Sequence, residues 1–299
     1  MKLDDSVLET IHHEYEQLTE EQLGQLGIVL GAYRSFRGNR RKHIGYVSMP
    51  ITSGKRLYEV LSHHGVTSLQ ELLDLPKGGD LLYEEVIRPN IDDGIGLADH
   101  LGATRDLLFI APSVFEAKRW RWTQEAYMSL WYRVIAEMAG SHYLMDGWEY
   151  STGGVKEVML SLIMQWRGIR PRMLDCAVHG WRLQDFMVGK SREDQLAELE
   201  EMQKIRIYDE RSAVLAIDDI LESVVVAVED LRERGMDYEP LLGLAATIKS
   251  TPSFTPYDIA EDLEREGLLI RPGDRFDAAA DRLDDLLIED YVQGILEPE

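Results

Sequence analysis

The feature that most constrains the fold is a regular alternation of short apolar runs with helical segments between residues 43 and 177. The runs predicted to be strands are His43–Met49, Glu85–Pro89, Asp106–Ala111, Ser141–Met145 and Arg172–Ala177. Strands that are joined through helices pair in parallel with right-handed crossovers. We therefore predict an α/β fold with a doubly wound, parallel five-stranded sheet of the flavodoxin or Rossmann type, preceded by helices and followed by an acidic helical domain.

Charge divides the chain into segments. The formal net charge is −22, and residues 191–299 contain 29 acidic but only 11 basic side chains. We predict an N-terminal helical extension over residues 1–42, an α/β domain over 43–190 and an acidic helical domain over 191–299. The acidic domain repels nucleic acid polymers and suits a basic protein partner or oligomer formation. An anionic ligand is therefore expected in the first two thirds of the chain.

Composition disfavours several classes of protein. No apolar run reaches the ~20 residues that a membrane-spanning helix needs, and the acidic N-terminus does not look like a signal peptide. The single cysteine, Cys176, cannot form an internal disulfide, and no CxxC or HExxH motif is present to hold a metal. We expect a cytoplasmic protein that needs no metal or other cofactor.

The predicted topology also places the ligand site. In a doubly wound sheet, ligands bind at the carboxyl ends of the strands. The predicted turns at that edge contain, in chain order, Pro50, Asn90, Pro112 and Asp146. Asp92 and Asp93 lie in the second of these turns, where they are either site carboxylates or ordinary helix caps. No GxGxxG or GxxxxGK[ST] motif is present, so neither a dinucleotide fold nor a nucleotide triphosphatase is supported.

Glu157 is the strongest candidate for a catalytic residue. It follows a predicted strand and a polar, glycine-containing turn, Asp146–Gly154, and is predicted within about the first turn of an amphipathic helix. Free backbone N–H groups and the helix dipole favour negative charge there, so we expect the carboxylate to be ionised at neutral pH. A fixed, ionised carboxylate is what a nucleophile at a sugar carbon requires. The alternative is that Glu157 is only a favourable first-turn acid.

Two other clusters have both a functional and a structural interpretation. The basic cluster from Arg34 to Lys42 is either a phosphate or nucleic-acid patch or a solvated linker, and the linker is preferred because no aromatic residues are interleaved. The aromatic helix between Pro112 and Gly140 either stacks on a base or packs in the core, and core packing is the more frequent role of such helices.

Two blocks, Tyr46–Ile51 and Asp146–Glu157, resemble the nucleoside 2-deoxyribosyltransferase superfamily. That superfamily includes 2′-deoxynucleoside 5′-phosphate N-hydrolases, cytidylate hydrolases and a group of uncharacterised proteins with a similar GWE-x-S-x-G-x-x-x-E block. The resemblance covers about residues 43–178 and neither end of the chain.

The resemblance implies roles for individual residues. Glu157 falls on the family's nucleophile, and Tyr46 falls on the tyrosine that hydrogen-bonds it. Ser151 occupies the position of a phosphate-binding serine in the nucleotide hydrolases, where the transferases have an aspartate. The remaining residues implied to bind substrate are Ser48, Pro50, Ile51, Asp92, Asp146, Trp148, Gly153 and Gly154.

The implied activity is cleavage of the N-glycosidic bond of a nucleoside 5′-monophosphate or nucleoside, by hydrolysis or transfer, in a homo-oligomer. One departure weakens this expectation. The family's aspartate near the leaving base aligns with Trp131–Arg133, which contains no carboxylate. Either Asp92, Asp93 or Glu125 serves the base, or the chain is a non-catalytic nucleotide-binding module whose helical domain docks a partner.

Overall fold

The computed structural model describes residues 18–37, 44–105, 108–115, 122–167, 191, 206–211, 215–250 and 274–296. The α-helices in these ranges are α1 (Glu20–Arg37), α2 (Lys55–His64), α3 (Leu69–Asp74), α4 (Gly78–Leu81), α5 (Arg88–Thr104), α6 (Gln124–Met138), α7 (Thr152–Arg167), α8 (Ile217–Glu233), α9 (Glu239–Ser250) and α10 (Asp274–Leu296). The strands are β1 (Ile44–Ser48), β2 (Leu108–Ile110), β3 (Ala139–Leu144) and β4 (Arg206–Asp209), and single helical turns of other types cover Leu82–Ile87, Pro112–Val114 and Trp148–Tyr150.

The four strands form one sheet in the order β2-β1-β3-β4. Every pairing is parallel, with Tyr46 of β1 opposite Ile110 of β2 and His142 of β3. The predicted α/β class and the parallel sheet are therefore confirmed. β1 is central and all five of its residues are buried, as expected for a strand that has neighbours on both edges and helices on its faces.

Helices pack on both faces of the sheet. Ile44 and Tyr46 share an apolar cluster with α1 and α6, whereas Val47 packs with Leu101 of α5. Successive residues of a strand point to opposite faces, so the two clusters lie on opposite sides of β1. The largest cluster joins α2 and α7 to the C-terminal helices α8, α9 and α10.

The second predicted strand, Glu85–Pro89, is wrong. Residues Leu82–Ile87 form a π-helical turn that continues directly into α5. Only Val86 is buried in that turn, so the segment lacks the apolar face that a central strand needs. Pro89 is the second residue of α5, at the junction with the π-helical turn, where the fixed φ of its ring is compatible with a helix. Asp92 and Asp93 consequently lie in a helix and not in a turn.

The sheet also differs from the prediction at its other edge. The predicted fifth strand, Arg172–Ala177, lies outside the described residues. A strand that was not predicted, β4, lies in the segment assigned as wholly helical, and it pairs with β3. The Tyr208 ring stacks on Tyr143 with ring centroids 4.6 Å apart. Strand pairing and ring stacking are long-range contacts, so the four-residue sequence of β4 could not indicate them.

Capping contacts define the ends of two helices. A capping box precedes α1, because the Thr19 N–H donates to Gln22 Oε1 at 2.9 Å and the Gln22 N–H donates to Thr19 Oγ1 at 3.2 Å. α2 is terminated by Gly65, whose φ of 68° suits glycine. Within the described ranges, no helix combines the length and apolar character that crossing a membrane would require.

Candidate active site

The Glu157 carboxylate is buried and held by two hydroxyl groups of β1. Tyr46 Oη donates to Glu157 Oε1 at 2.7 Å, and Ser48 Oγ donates to Glu157 Oε2. Glu157 is only 5% exposed, and Tyr46 and Ser48 are fully buried. The structure thus brings together the two residues predicted to be catalytic and one predicted to bind substrate.

The period of a β-strand explains the arrangement. Tyr46 and Ser48 are two residues apart on β1 and therefore present their side chains to the same face. α7 packs on that face and directs Glu157 at both hydroxyls. Glu157 is the sixth residue of α7 and lies in its second turn, slightly further along the helix than predicted. The hydroxyl groups, and not the free N–H groups of a helix end, contact the carboxylate.

Burial changes the protonation of Glu157. Desolvation raises the pKa of the carboxyl from 4.5 to about 7, although the hydrogen bonds from Ser48 and Tyr46 lower it. Burial therefore acts against the expectation of an ionised carboxylate at neutral pH, because it moves the pKa of the group close to neutrality. Burial and the neighbouring carboxylate raise the pKa of Tyr46 well above its usual range, so this phenol stays a neutral donor.

His142 and Ser161 support this arrangement and were not predicted. His142 lies opposite Tyr46 in the sheet, with ring centroids 5.4 Å apart in an edge-to-face contact. His142 Nδ1 is 2.8 Å from Ser161 Oγ, one helical turn beyond Glu157 on α7. Burial lowers the pKa of His142 to about 3, so the ring is neutral. A lone histidine in an apolar strand carries no sequence signal that separates this role from simple core packing.

Ser151 begins α7. Its Oγ accepts the Gly154 N–H at 3.2 Å and lies 2.9 Å from Ser53 Oγ. A Cβ atom on Gly154 would lie 3.1 Å from the Trp148 carbonyl oxygen, so a side chain there would crowd the turn, whereas Gly153 is less confined. The two serines bring the turn after β1 against the start of the helix that carries Glu157.

A pocket of about 520 Å³ lies at the predicted edge of the sheet. It is lined by residues that directly follow three strands, namely Pro50 after β1, Met145 and Asp146 after β3, and Glu210 after β4. Asp92 also lines it, as predicted. The other charged residues of its wall are Lys55, Arg56, Glu59, Asp93 and His100. The pocket is thus polar and carries both signs of charge.

Asn90 fixes the wall of this pocket. It is 2% exposed, and its Nδ2 donates to the carbonyl oxygen of Ile51 at 3.1 Å. Arg56 donates to Asn90 Oδ1 at 3.1 Å and to Asp93 Oδ2 at 2.7 Å. These bonds hold the turn after β1 against α5. The sequence indicated Asn90 only as an edge residue, and no local feature showed that its amide would be buried and hydrogen-bonded.

Several predicted residues lie away from the pocket lining. Trp148 is fully buried and its Nε1 donates to Asp209 at 3.2 Å. Trp131 is buried beside Tyr33 and Tyr46, which confirms core packing over base stacking for that residue. Glu157 itself does not line the pocket. Its hydrogen-bond partner Ser48 lies at the end of β1, two residues before the pocket residue Pro50.

Neither a metal centre nor a known relative helps to define the site. Among the described residues, no group of three or more His, Cys, Asp or Glu side chains could hold a metal ion. A scan against protein-family models, a search of curated proteins and a search of solved structures each found no match. The resemblance drawn from two sequence blocks therefore stays a prediction, and function is argued from the geometry.

Proposed function

We propose that the protein is an N-glycosidase that acts on a nucleoside 5′-monophosphate or nucleoside through Glu157. The observation that carries the proposal is the buried carboxylate between two hydroxyl donors, close to the ligand edge of a parallel sheet. No cation is among the groups that shift the pKa of Glu157 within the described residues. A carboxylate without a cationic partner is reactive toward a carbon that develops positive charge.

The proposed reaction has two steps. Glu157 Oε attacks the anomeric carbon while the C–N bond breaks, and the base leaves with the bonding electron pair. The base takes a proton from solvent or from an acid, for which Asp92 in the pocket wall is the candidate. Water, or a second base in a transfer reaction, then displaces Glu157 from the glycosyl ester. Tyr46 and Ser48 hold the carboxylate in one rotamer throughout.

The same proposal assigns the remaining contacts. Ser48, Pro50 and Ile51 line the base and sugar, and Ser151 with the first N–H groups of α7 receives a phosphate, because a helix start favours an anion. Access from the pocket to Glu157 has to open when substrate binds, since the carboxylate is 5% exposed. A cytoplasmic location and a homo-oligomer belong to the proposal as well.

The test is release of free base from a panel of ribo- and deoxynucleosides and their 5′-monophosphates, followed by chromatography. Glu157→Gln is expected to abolish release, because an amide cannot form the glycosyl ester. Glu239→Gln is the matched control, since Glu239 is an exposed first-turn acid of α9, and it should react like the wild type. Release by folded Glu157→Gln at the wild-type rate would reject the proposal.

A second candidate is a non-catalytic nucleotide-binding module. It is favoured by the absence of a carboxylate at Trp131–Arg133 and by the position of Glu157 outside the pocket lining. Nucleoside monophosphates would then raise the melting temperature of both wild type and Glu157→Gln, with no base released by either protein.

A further inference from the structure

A second pocket shares no lining residue with the first, although its Arg211 pairs with Asp146 of the first pocket. It has a volume of about 400 Å³ and is formed by the Trp148–Tyr150 turn, the end of β4, α8 and the start of α10. Its charged lining residues are Glu149, Asp209, Asp219, Glu222, Arg211 and Arg275. Four carboxylates thus face two guanidinium groups, so the lining has an excess of negative charge.

Both arginines of this acidic pocket are engaged at its rim. Arg211 donates its Nε and Nη2 to Asp209 at 2.9 and 3.0 Å, and its Nη1 lies 2.9 Å from Asp146. Arg275 donates to Asp219 at 2.7 Å and to Glu222 at 2.9 Å. The two arginine side chains are 55% and 62% exposed. Their hydrogen-bonding capacity is therefore directed at the other three acids of the lining and at Asp146.

Glu149 is the lining acid that these arginines do not satisfy. It is 8% exposed, and its Oε2 has no hydrogen-bond partner among the described residues. The nearest cation of an ion pair is Arg211, whose Nη2 is 3.7 Å from Oε1, too far for a hydrogen bond. Burial raises the pKa of Glu149, although its own backbone N–H group and the charge of Arg211 act in the opposite direction. A buried acceptor without a donor is costly, and a donor from outside would remove that cost.

We propose that the acidic pocket binds a small organic cation, an alkylamine or alkylguanidine, whose N–H groups donate to Glu149. The excess carboxylates attract the cation, and Ser223 offers a further polar contact in the lining. Leu215, Val226 and Ala227 supply apolar wall for the alkyl chain. Binding at this site does not depend on the proposed glycosidase reaction.

The experiment is calorimetric titration of the full chain at low salt with putrescine, agmatine and the uncharged analogue 1,4-butanediol. The two cations are expected to bind and the diol is not. Glu149→Gln should weaken binding by about tenfold or more, because it removes a charge-assisted hydrogen bond. Glu233→Gln is the control, since Glu233 is an exposed acid at the end of α8, and it should bind as the wild type does.

A second pair of variants tests the site even where Glu149→Gln fails to fold. Ser223→Lys tethers an ammonium group inside the pocket, and Ser223→Met places a side chain of similar length there without the charge. The lysine variant is expected to melt at a higher temperature than the methionine variant and to lose putrescine binding. Any one of three results would overturn the proposal. The first is equal binding of the cations by Glu149→Gln and wild type, and the second is that neither cation binds with a Kd below about 1 mM. The third is a lower melting temperature for Ser223→Lys than for Ser223→Met.

Discussion

Replacing Glu157 by Gln should stabilise the protein at alkaline pH. The folded protein holds this carboxyl at a pKa of about 7, compared with 4.5 for an exposed glutamate. The folded state therefore binds the proton more tightly than the unfolded state does. The resulting stability is fully present below about pH 4.5 and is lost as the pH rises through about 7. Glutamine does not titrate, so Glu157→Gln escapes that loss.

The size of the effect follows from the two pKa values. Each pKa unit corresponds to about 1.4 kcal/mol, so the difference between 4.5 and about 7 amounts to about 3 kcal/mol of unfolding free energy. Any constant difference in hydrogen bonding between Glu and Gln cancels when the same two proteins are compared at two pH values. The quantity to measure is therefore the change with pH in the stability difference between variant and wild type.

Urea unfolding of both proteins at about pH 5, 6, 7 and 8 measures this change. Between about pH 5 and 8 the variant should gain roughly 2 to 3 kcal/mol relative to the wild type, most of it by about pH 7. Glu239→Gln, at an exposed position on α9, should show no such change. A gain below about 0.5 kcal/mol would show that burial does not raise the pKa of Glu157, and the reasoning would be refuted.

Three other predictions follow from single contacts. Tyr46→Phe removes a donor to the Glu157 carboxylate and should raise the pKa of that group by about 1; the pH profile of base release, or NMR titration of the carboxyl, should move to higher pH by that amount, and an unmoved profile would contradict it. Asn90→Ala removes the amide that holds the turn after β1 and should lower the unfolding free energy by about 2 kcal/mol, and an unchanged urea midpoint would argue against that role. Gly78→Ala places a Cβ atom 2.1 Å from a backbone oxygen of α3 and should cost about 2 kcal/mol or more in thermal unfolding, whereas a melting temperature equal to that of the wild type would mean that the turn relaxes freely.

The central strands and most helices could be predicted from sequence because their signals are local. β1 is a continuous apolar run before a Pro and Gly turn, and α2 keeps its apolar side chains at helical spacing up to Gly65. The errors lie in segments whose secondary structure is determined by long-range contacts. β4 is four residues long and depends on pairing with β3. Glu85–Pro89 has the composition of a short strand, but it forms the end of the π-helical turn and the first two residues of α5.

The candidate site was predictable in identity but not in electrostatics. Chain position indicated Glu157, the resemblance alone indicated Tyr46 and Ser48, and the structure places the three side chains in contact. The charge argument relied on the helix dipole, which acts over the first turn and contributes about 1 kcal/mol or less at most sites. Burial of the carboxyl outweighs that effect and moves the pKa to about 7. Burial is a property of the whole fold, so no local sequence feature could have shown it.

The energetic cost of Glu157 itself favours a chemical role over a structural one. At pH values above about 7 the ionised group costs about 3 kcal/mol relative to an exposed glutamate. Among the described residues no cation offsets this cost, and a neutral glutamine could hydrogen-bond the same two hydroxyls without it. A purely structural position would therefore be served better by glutamine. If Glu157→Gln is more stable than the wild type at alkaline pH but releases no base, the negative charge of Glu157 serves the reaction at a cost in stability. If the variant instead gains stability and binds nucleotide as the wild type does, while neither wild type nor variant releases base, the protein is better described as a nucleotide-binding module.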